Sequence, residues 1–335
     1  PDPDEVCRRV ALLEVPDGSR VTFVDEGVFA QSVVIPEGDD LEDGSPREDQ
    51  AGAFVGVAAL AAALRPGGAT PGGPLPRLGL AGFGAGDAAR LLLPRFPLCQ
   101  LTGWERSRAV LRAAELLGVR PDGRLDLRCE DVLSSRCEPP PAPLDALFVD
   151  LFVHGGRGSG SLPQPLEEEV TWRRLLRWLA PAGLLLANLG AAASDGSGLP
   201  ERAGRALVAL GEAAGAAGSK AYSKKLLTTD DEDDYNLLAL VSGQELDDDA
   251  WAGVLKEHGG FLGRPELARG WEAVGSSRGQ CAAGSWGKKQ ALAAPCLLRP
   301  LTCIRPPRSP SEDALAGRDF VFAQTVHTSW CSRSR

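Results

Sequence analysis

Leu78-Gly79-Leu80-Ala81-Gly82-Phe83-Gly84-Ala85-Gly86 is the stretch on which the reading of this chain turns. A short apolar run ends in glycines at alternate positions, Gly82, Gly84 and Gly86. A helical pattern, Asp87-Ala88-Ala89-Arg90-Leu91-Leu92-Leu93, comes directly after it. That order is a strand, a tight turn and a helix start. Glycine permits the positive φ that such a turn demands, and it lets the backbone approach a ligand where a Cβ would clash. A glycine-rich turn alone equally describes an ordinary turn, so the segments after it carry the weight.

A second apolar segment, Leu98-Cys99-Gln100-Leu101-Thr102-Gly103-Trp104, runs into Glu105, 23 residues after Gly82. In a doubly wound α/β sheet, an acid at the end of the second strand is placed to accept hydrogen bonds from ribose hydroxyls. The alternative is an acid at the N-terminus of the helix that starts near Ser107. A third strand, Leu125-Asp126-Leu127-Arg128-Cys129, leads to Glu130-Asp131. A fourth, Leu144-Asp145-Ala146-Leu147-Phe148-Val149, ends at Asp150. A Gly/Ser loop over 154–161 and a helix over 166–179 come next. Pro181-Ala182-Gly183 then turns the chain into a fifth strand, Leu184-Leu185-Leu186-Ala187-Asn188-Leu189. Strands alternating with helices predict an α/β fold with a mostly parallel sheet covered on both faces. Ligands of such sheets bind beyond the carboxyl ends of the strands, where the glycines, Glu105, Asp131 and Asp150 all fall.

Residues 77–189 resemble the class I S-adenosylmethionine-dependent methyltransferases, specifically the branch that includes spermidine synthase and its methyltransferase relatives. The resemblance rests on LGLAGFGAG (78–86), TGWERS (102–107), RCEDVL (128–133), LDALFVDLF (144–152) and LAPAGLLLANL (179–189), in the family's order and at its spacing. It implies a doubly wound, mostly parallel Rossmann-like sheet, with a small N-terminal β-rich leader that includes 20–32 and an irregular C-terminal extension. The expected division is 1–65 for the leader and a helix, 66–245 for the S-adenosylmethionine-binding domain and 246–335 for the extension. The resemblance further implies that Gly82, Gly84 and Gly86 wrap the methionyl part of the cofactor and that Glu105 holds the ribose. Asp131 would meet the adenine amino group with Val132 against the ring, and Asp150 would face the reacting centre as the catalytic residue. Most methyltransferases carry an acid two residues before the first motif glycine; Leu80 stands there, as is common in this branch. In the polyamine synthases the fourth strand ends in Asp-x-x-Asp. Here the word is Asp150-Leu151-Phe152-Val153, and the second acid is missing. A cationic diamine needs carboxylates around it, which an apolar Leu-Phe-Val does not offer.

The chain is 335 residues long, 43% apolar and 6% aromatic, enough for one large α/β domain with additions but poor in stacking platforms for nucleic acid. Its net charge of −9 argues against a nucleic-acid partner. The charge is uneven. Residues 276–335 hold nine Lys/Arg and three Asp/Glu, a net +6, and this basic tail reads either as a docking arm for a protein partner or as a solvated extension. The eight cysteines form no C-x-x-C pair, and the three histidines show no metal-site spacing with them apart from His327 and Cys331, a pair near the terminus that reads as chance, so no metal, no disulfide framework and a reducing intracellular compartment are expected. Cys99 and Cys129 read as buried strand thiols. No apolar run is long enough to span a membrane. The chain contains no Met. Removal of an organellar transit peptide, leaving a protein of the plastid or mitochondrial matrix, and truncation explain this equally, and a cytoplasmic location stays open.

Along the rest of the chain, 54–64 reads as an apolar helix beside the sheet and 202–217 as an Ala-rich helix. Segments 221–227 and 236–242 read as a hairpin with the acidic tip Asp230-Asp231-Glu232-Asp233-Asp234, and 247–263 looks helical. Three functions fit. The first is a methyltransferase acting on a protein or small molecule. The second is a non-catalytic subunit that keeps the fold as a docking module, and the third is an aminopropyltransferase making a polyamine. The intact glycine turn and the three acids favour a working cofactor pocket, and Val153 disfavours the polyamine reading.

Overall fold

The computed structural model describes residues 9–14, 20–24, 32–34, 50–64, 76–154, 160–191, 199–227, 235–245, 247–257, 271–274 and 323–327. A small antiparallel sheet is built from β1 (Arg9–Glu14), β2 (Arg20–Val24) and β3 (Ser32–Val34). Helix α1 (Gln50–Leu64) leads into the main sheet. There β4 (Arg77–Ala81), α2 (Asp87–Arg95), β5 (Gln100–Trp104), α3 (Arg108–Leu116), β6 (Leu125–Arg128) and β7 (Leu144–Val149) alternate as expected. Next come a two-stranded ribbon, β8 (Val153–His154) with β9 (Gly160–Ser161), then α4 (Glu169–Leu176), β10 (Leu179–Ala191) and α5 (Leu199–Ala216). The chain continues through β11 (Lys220–Leu227), β12 (Tyr235–Ser242), α6 (Asp248–Glu257), β13 (Glu272–Ala273) and β14 (Ala323–His327).

Among the described residues the main sheet has eight strands in the order β13-β11-β12-β10-β7-β4-β5-β6. The five strands from β10 to β6 are parallel, and the β11–β12 hairpin joins β10 antiparallel. The strand order reverses between β4 and β7, which makes their carboxyl ends the crevice of the sheet. The period of two along each strand divides the core. Leu78, Leu80, Phe148, Leu186 and Leu240 face α1, α2 and α6; Ala81, Leu147, Val149, Leu185 and Ala239 face α4 and α5. Both faces are apolar because both are covered. Helix α1 carries no polar residue after Gln50 and is buried around most of its girth, stacking Phe54 on Phe148 of the sheet at 4.9 Å. Helix α3 turns Ala109, Val110 and Ala113 towards Val10 of β1, joining the small sheet to the main one. Strand β14, from the expected irregular extension, pairs antiparallel with β1, with Val10 opposite Val326.

Several expectations need correction. Pro181-Ala182-Gly183 is no turn; it lies inside β10, whose register against β7 shifts between Leu179 and Leu184. The helix expected over 166–179 is shorter. Pro163 and Pro165 produce a 3-10 turn over Gln164–Glu167, and Glu168 is extended before α4 begins. Cys99 is buried but precedes β5, and Cys129 lies just past β6 and is exposed. The acidic tip 230–234, the loop 155–159, residues 258–263 and most of the basic tail lie outside the described residues. Among the described residues no helix is long and apolar enough to cross a membrane.

One charged knot pins α5 to the 3-10 turn. Glu167 accepts from Arg202 Nε and Arg205 Nε, each at 2.6 Å, and its side chain is 15% exposed. The Arg205 hydrogen bond, opposed by burial and helped by Arg202, holds the Glu167 carboxyl below its ordinary value of 4.5. A carboxylate with a lowered folded-state pKa contributes stability above its unfolded pKa and loses it as pH falls through the folded one. Glu167→Gln is therefore expected to lose about 1 kcal/mol in urea titrations near neutral pH. The gap to wild type should close on acidification below 4.5. A gap independent of pH would mean that packing, not charge, does the pinning.

Candidate active site

The site is built where β4 and β7 end. Asp150 N–H donates to the Ala81 carbonyl at 2.8 Å, extending the ladder by one residue. The chain then turns through Gly82, Gly84 and Gly86 with φ of +87°, +57° and +88°. Gly82 and Phe83 both donate to the Trp104 carbonyl, at 3.0 and 2.9 Å, so the turn is tied to β5. A Cβ on Gly82 would stand 2.0 Å from the Asp150 carbonyl oxygen. No side chain fits there, and the positive φ disfavours one independently. Arg90 of α2 holds the far side of the turn, donating to the Ala85 carbonyl at 3.0 Å and pairing with Asp87.

Glu105, just past the end of β5, joins both of its sequence readings. One carboxylate oxygen accepts from Gly84 N–H at 3.2 Å, inside the glycine turn; the other accepts from Ser107 N–H at 2.8 Å. Ser107 is the N-cap of α3, its Oγ accepting from Val110 N–H. Burial pushes the Glu105 carboxyl above its ordinary range, against the pull of the Ser107 and Gly84 N–H groups. An ionised carboxylate has about four acceptor positions, so two N–H donors leave room for two hydroxyls.

Asp150 is half-buried, and its Oδ1 accepts from Asn188 Nδ2 at 3.1 Å. The Asn188 Oδ1 accepts from Gly190 N–H at 3.0 Å. Flipping that amide would set its oxygen against a carboxylate and its NH2 against an N–H, so both bonds fix its orientation. The sequence reading missed Asn188. The signal was there: it is the single polar residue in an otherwise apolar fifth strand, and it is 3% exposed. A buried amide in such a run needs a partner, and here it is Asp150.

Gly82 and Gly84 are thus brought to Asp150 and Glu105 respectively. Asp131 and Val132 lie one strand further out, after β6. Asp131 is exposed and its Oδ1 accepts from Leu133 N–H at 2.9 Å; the Val132 side chain is buried among the cluster beneath the sheet. Beyond Asp150, Leu151, Phe152 and Val153 are half-buried and lead into the β8–β9 ribbon. Among the described residues no group of His, Cys, Asp and Glu could hold a metal ion.

No family model matches the chain, and no curated protein matches it. Solved structures do match. A probable spermidine synthase from Corynebacterium glutamicum is 19% identical, with a TM-score of 0.51 over 73% of this chain and 83% of that one. The fold is Rossmann-like, of the class I methyltransferase type, and the likeness is one of fold. Also similar are the spermidine synthase of Thermotoga maritima, 14% identical with a TM-score of 0.48 over 70% of this chain and 69% of that one, and human methyltransferase-like protein 13 in complex with SAH, 19% identical with a TM-score of 0.45 over 66% and 92%.

The approach of Gly82 to Asp150 sets a test of the turn. Gly118 also has a positive φ, +89°, but nothing lies within 4 Å of its missing Cβ. Gly118→Ala should cost about 1–2 kcal/mol, the left-handed strain alone. Gly82→Ala adds a backbone clash and should cost clearly more, about 3–5 kcal/mol. Equal losses in denaturant titration would show that the β4–β7 approach tolerates a side chain.

Proposed function

We propose that this chain is an S-adenosylmethionine-dependent methyltransferase whose acceptor is a protein side chain or a small molecule. The observation that carries the reading is Glu105. A half-buried carboxylate bridges the glycine turn and the start of α3, with acceptor capacity left for the two hydroxyls of a ribose. In this reading Gly82, Gly84 and Gly86 shape the backbone around the methionyl part and Asp131 takes the adenine amino group, while only the backbone of Val132 is left to meet the ring, its side chain being packed against α4. When bound, S-adenosylmethionine supplies a methyl group activated by its sulfonium.

The rest falls to the chain's own residues. A carboxylate at the end of β7 can orient an incoming nucleophile and hold the proton that it sheds. Asn188 supports that task by fixing one oxygen of Asp150 and turning the carboxylate's plane. Leu151, Phe152 and Val153 give the acceptor side an apolar wall, which excludes water and leaves alignment to do most of the work. The likeness to a probable spermidine synthase supports aminopropyl transfer as a second reading. Val153 stands against it, because a second ammonium beside an apolar wall would lose its hydration without a counter-charge.

The test is label transfer from S-adenosylmethionine carrying a radioactive methyl group into a cell lysate, with protein and small-molecule fractions counted separately. Wild type should label one fraction. Asp150→Asn keeps size and hydrogen bonding but loses the base, and should transfer roughly 10²–10⁴-fold less. Putrescine with decarboxylated S-adenosylmethionine should yield no polyamine. No wild-type signal above the variant in either fraction would remove the methyltransferase reading and leave a non-catalytic subunit.

A further inference from the structure

The loop after β6 is held from a distance. Arg174 of α4 donates through one terminal nitrogen to the Val132 carbonyl at 2.7 Å and through the other to the Ser134 carbonyl. These contacts cross 42 and 40 residues of chain. Arg174 is half-buried, and among the described residues no carboxylate pairs with it and its buried Nε has no partner. A guanidinium in such a place is costly unless its donors are used, and two of them are spent on the backbone of one short stretch, Asp131–Ser134, of that loop. The planar fork reaches two carbonyls at once, which a lysine ammonium on its flexible stem does not reproduce.

Among the described residues the other bonds of Asp131–Ser134 are local. Asp131 Oδ1 accepts from Leu133 N–H at 2.9 Å and the Asp131 carbonyl accepts from Ser134 N–H at 3.0 Å. Local bonds fix the shape of the loop but not its place over the sheet. Place comes from α4. Arg174 takes two carbonyls, while Val132 shares an apolar cluster with Trp172 and Leu175 of the same helix. Trp172 is itself locked by donating from Nε1 to the Leu166 carbonyl at 2.7 Å. With its underside held, the loop presents Asp131, exposed and using one oxygen internally, away from the core.

We propose that Arg174 is a positioning residue for nucleobase recognition: by clamping the carbonyls of Val132 and Ser134 it sets where the Asp131 carboxylate meets the base. The proposal rests on the reading of Asp131 as the partner of the adenine amino group. It assigns α4 a part in selecting the base, although no residue of α4 need touch the ligand.

The test compares two ligands, S-adenosylhomocysteine and S-inosylhomocysteine, which differ in a 6-amino against a 6-oxo group, by calorimetry on the full chain. Wild type should prefer the adenine ligand by roughly 10-fold or more, since a carboxylate that accepts from an amino group repels a carbonyl. Arg174→Met should bring the ratio to within about threefold of unity, and Arg174→Lys should give an intermediate ratio. General destabilisation lowers both affinities and leaves their ratio alone, so the ratio isolates positioning. Should Arg174→Met fail to fold, Arg174→Lys carries the same readout. A wild-type ratio in the folded variants overturns the proposal and leaves Arg174 a structural clamp. No preference in the wild type itself overturns the adenine assignment of Asp131, and the proposal with it.

Discussion

The carbonyl of Asp150 sits where a side chain on residue 82 would have to be. The rest of the site depends on that exclusion. Parallel neighbours β4 and β7 end level with one another, and the chain leaving β4 must turn at once over the end of β7. Only a residue without a Cβ can make the turn at that distance, 2.0 Å from a would-be Cβ to the carbonyl oxygen. The turn then places the Gly84 N–H against Glu105, while Asp150 stays at the end of β7 within reach of Asn188. One steric fact thus brings the ends of three adjacent strands, and the two acids just beyond them, to a single crevice.

The polar groups at these strand ends are held by side chains of neighbouring elements. Arg90 braces the glycine turn from α2, Asn188 braces Asp150 from β10, and Arg174 braces the loop after β6 from α4. Each brace stands on a regular element whose opposite side is packed in an apolar cluster, which is what gives a loop a fixed place. In the proposed site, Leu151, Phe152 and Val153 offer the acceptor no charge. A site that binds its acceptor by shape rather than by counter-charge leaves little trace in residue type, and under the proposed function this is why the acceptor is the least specified component.

The sheet and its crevice were legible in the sequence because both rest on local patterns. Short apolar runs separated by helical patterns name the strands, and glycines at 82, 84 and 86 name the turn. The acids at 105 and 150 each stand directly after a strand. Distance in sequence limited the rest. Nothing near Arg174 announces that its guanidinium reaches carbonyls 40 residues away, and nothing near Arg9–Glu14 announces Ala323–His327 as its partner. Asn188 was visible as a polar residue in an apolar strand, yet its partner was not. Pro181-Ala182-Gly183 misled because turn chemistry normally ends a strand; here the β10 ladder absorbs it as a register shift. Cys129 misled by one residue, since the strand stops at Arg128 and leaves the next side chain exposed.

Methyl transfer under the proposed function requires that the crevice hold an intact S-adenosylmethionine. Calorimetry of the full chain with S-adenosylmethionine and with decarboxylated S-adenosylmethionine addresses it most directly. The two ligands share the adenine, the ribose and the sulfonium and differ only at the methionyl carboxylate, the group that separates methyl donors from aminopropyl donors. Tighter binding of S-adenosylmethionine is expected. Tighter binding of the decarboxylated ligand, or binding of neither, would contradict it.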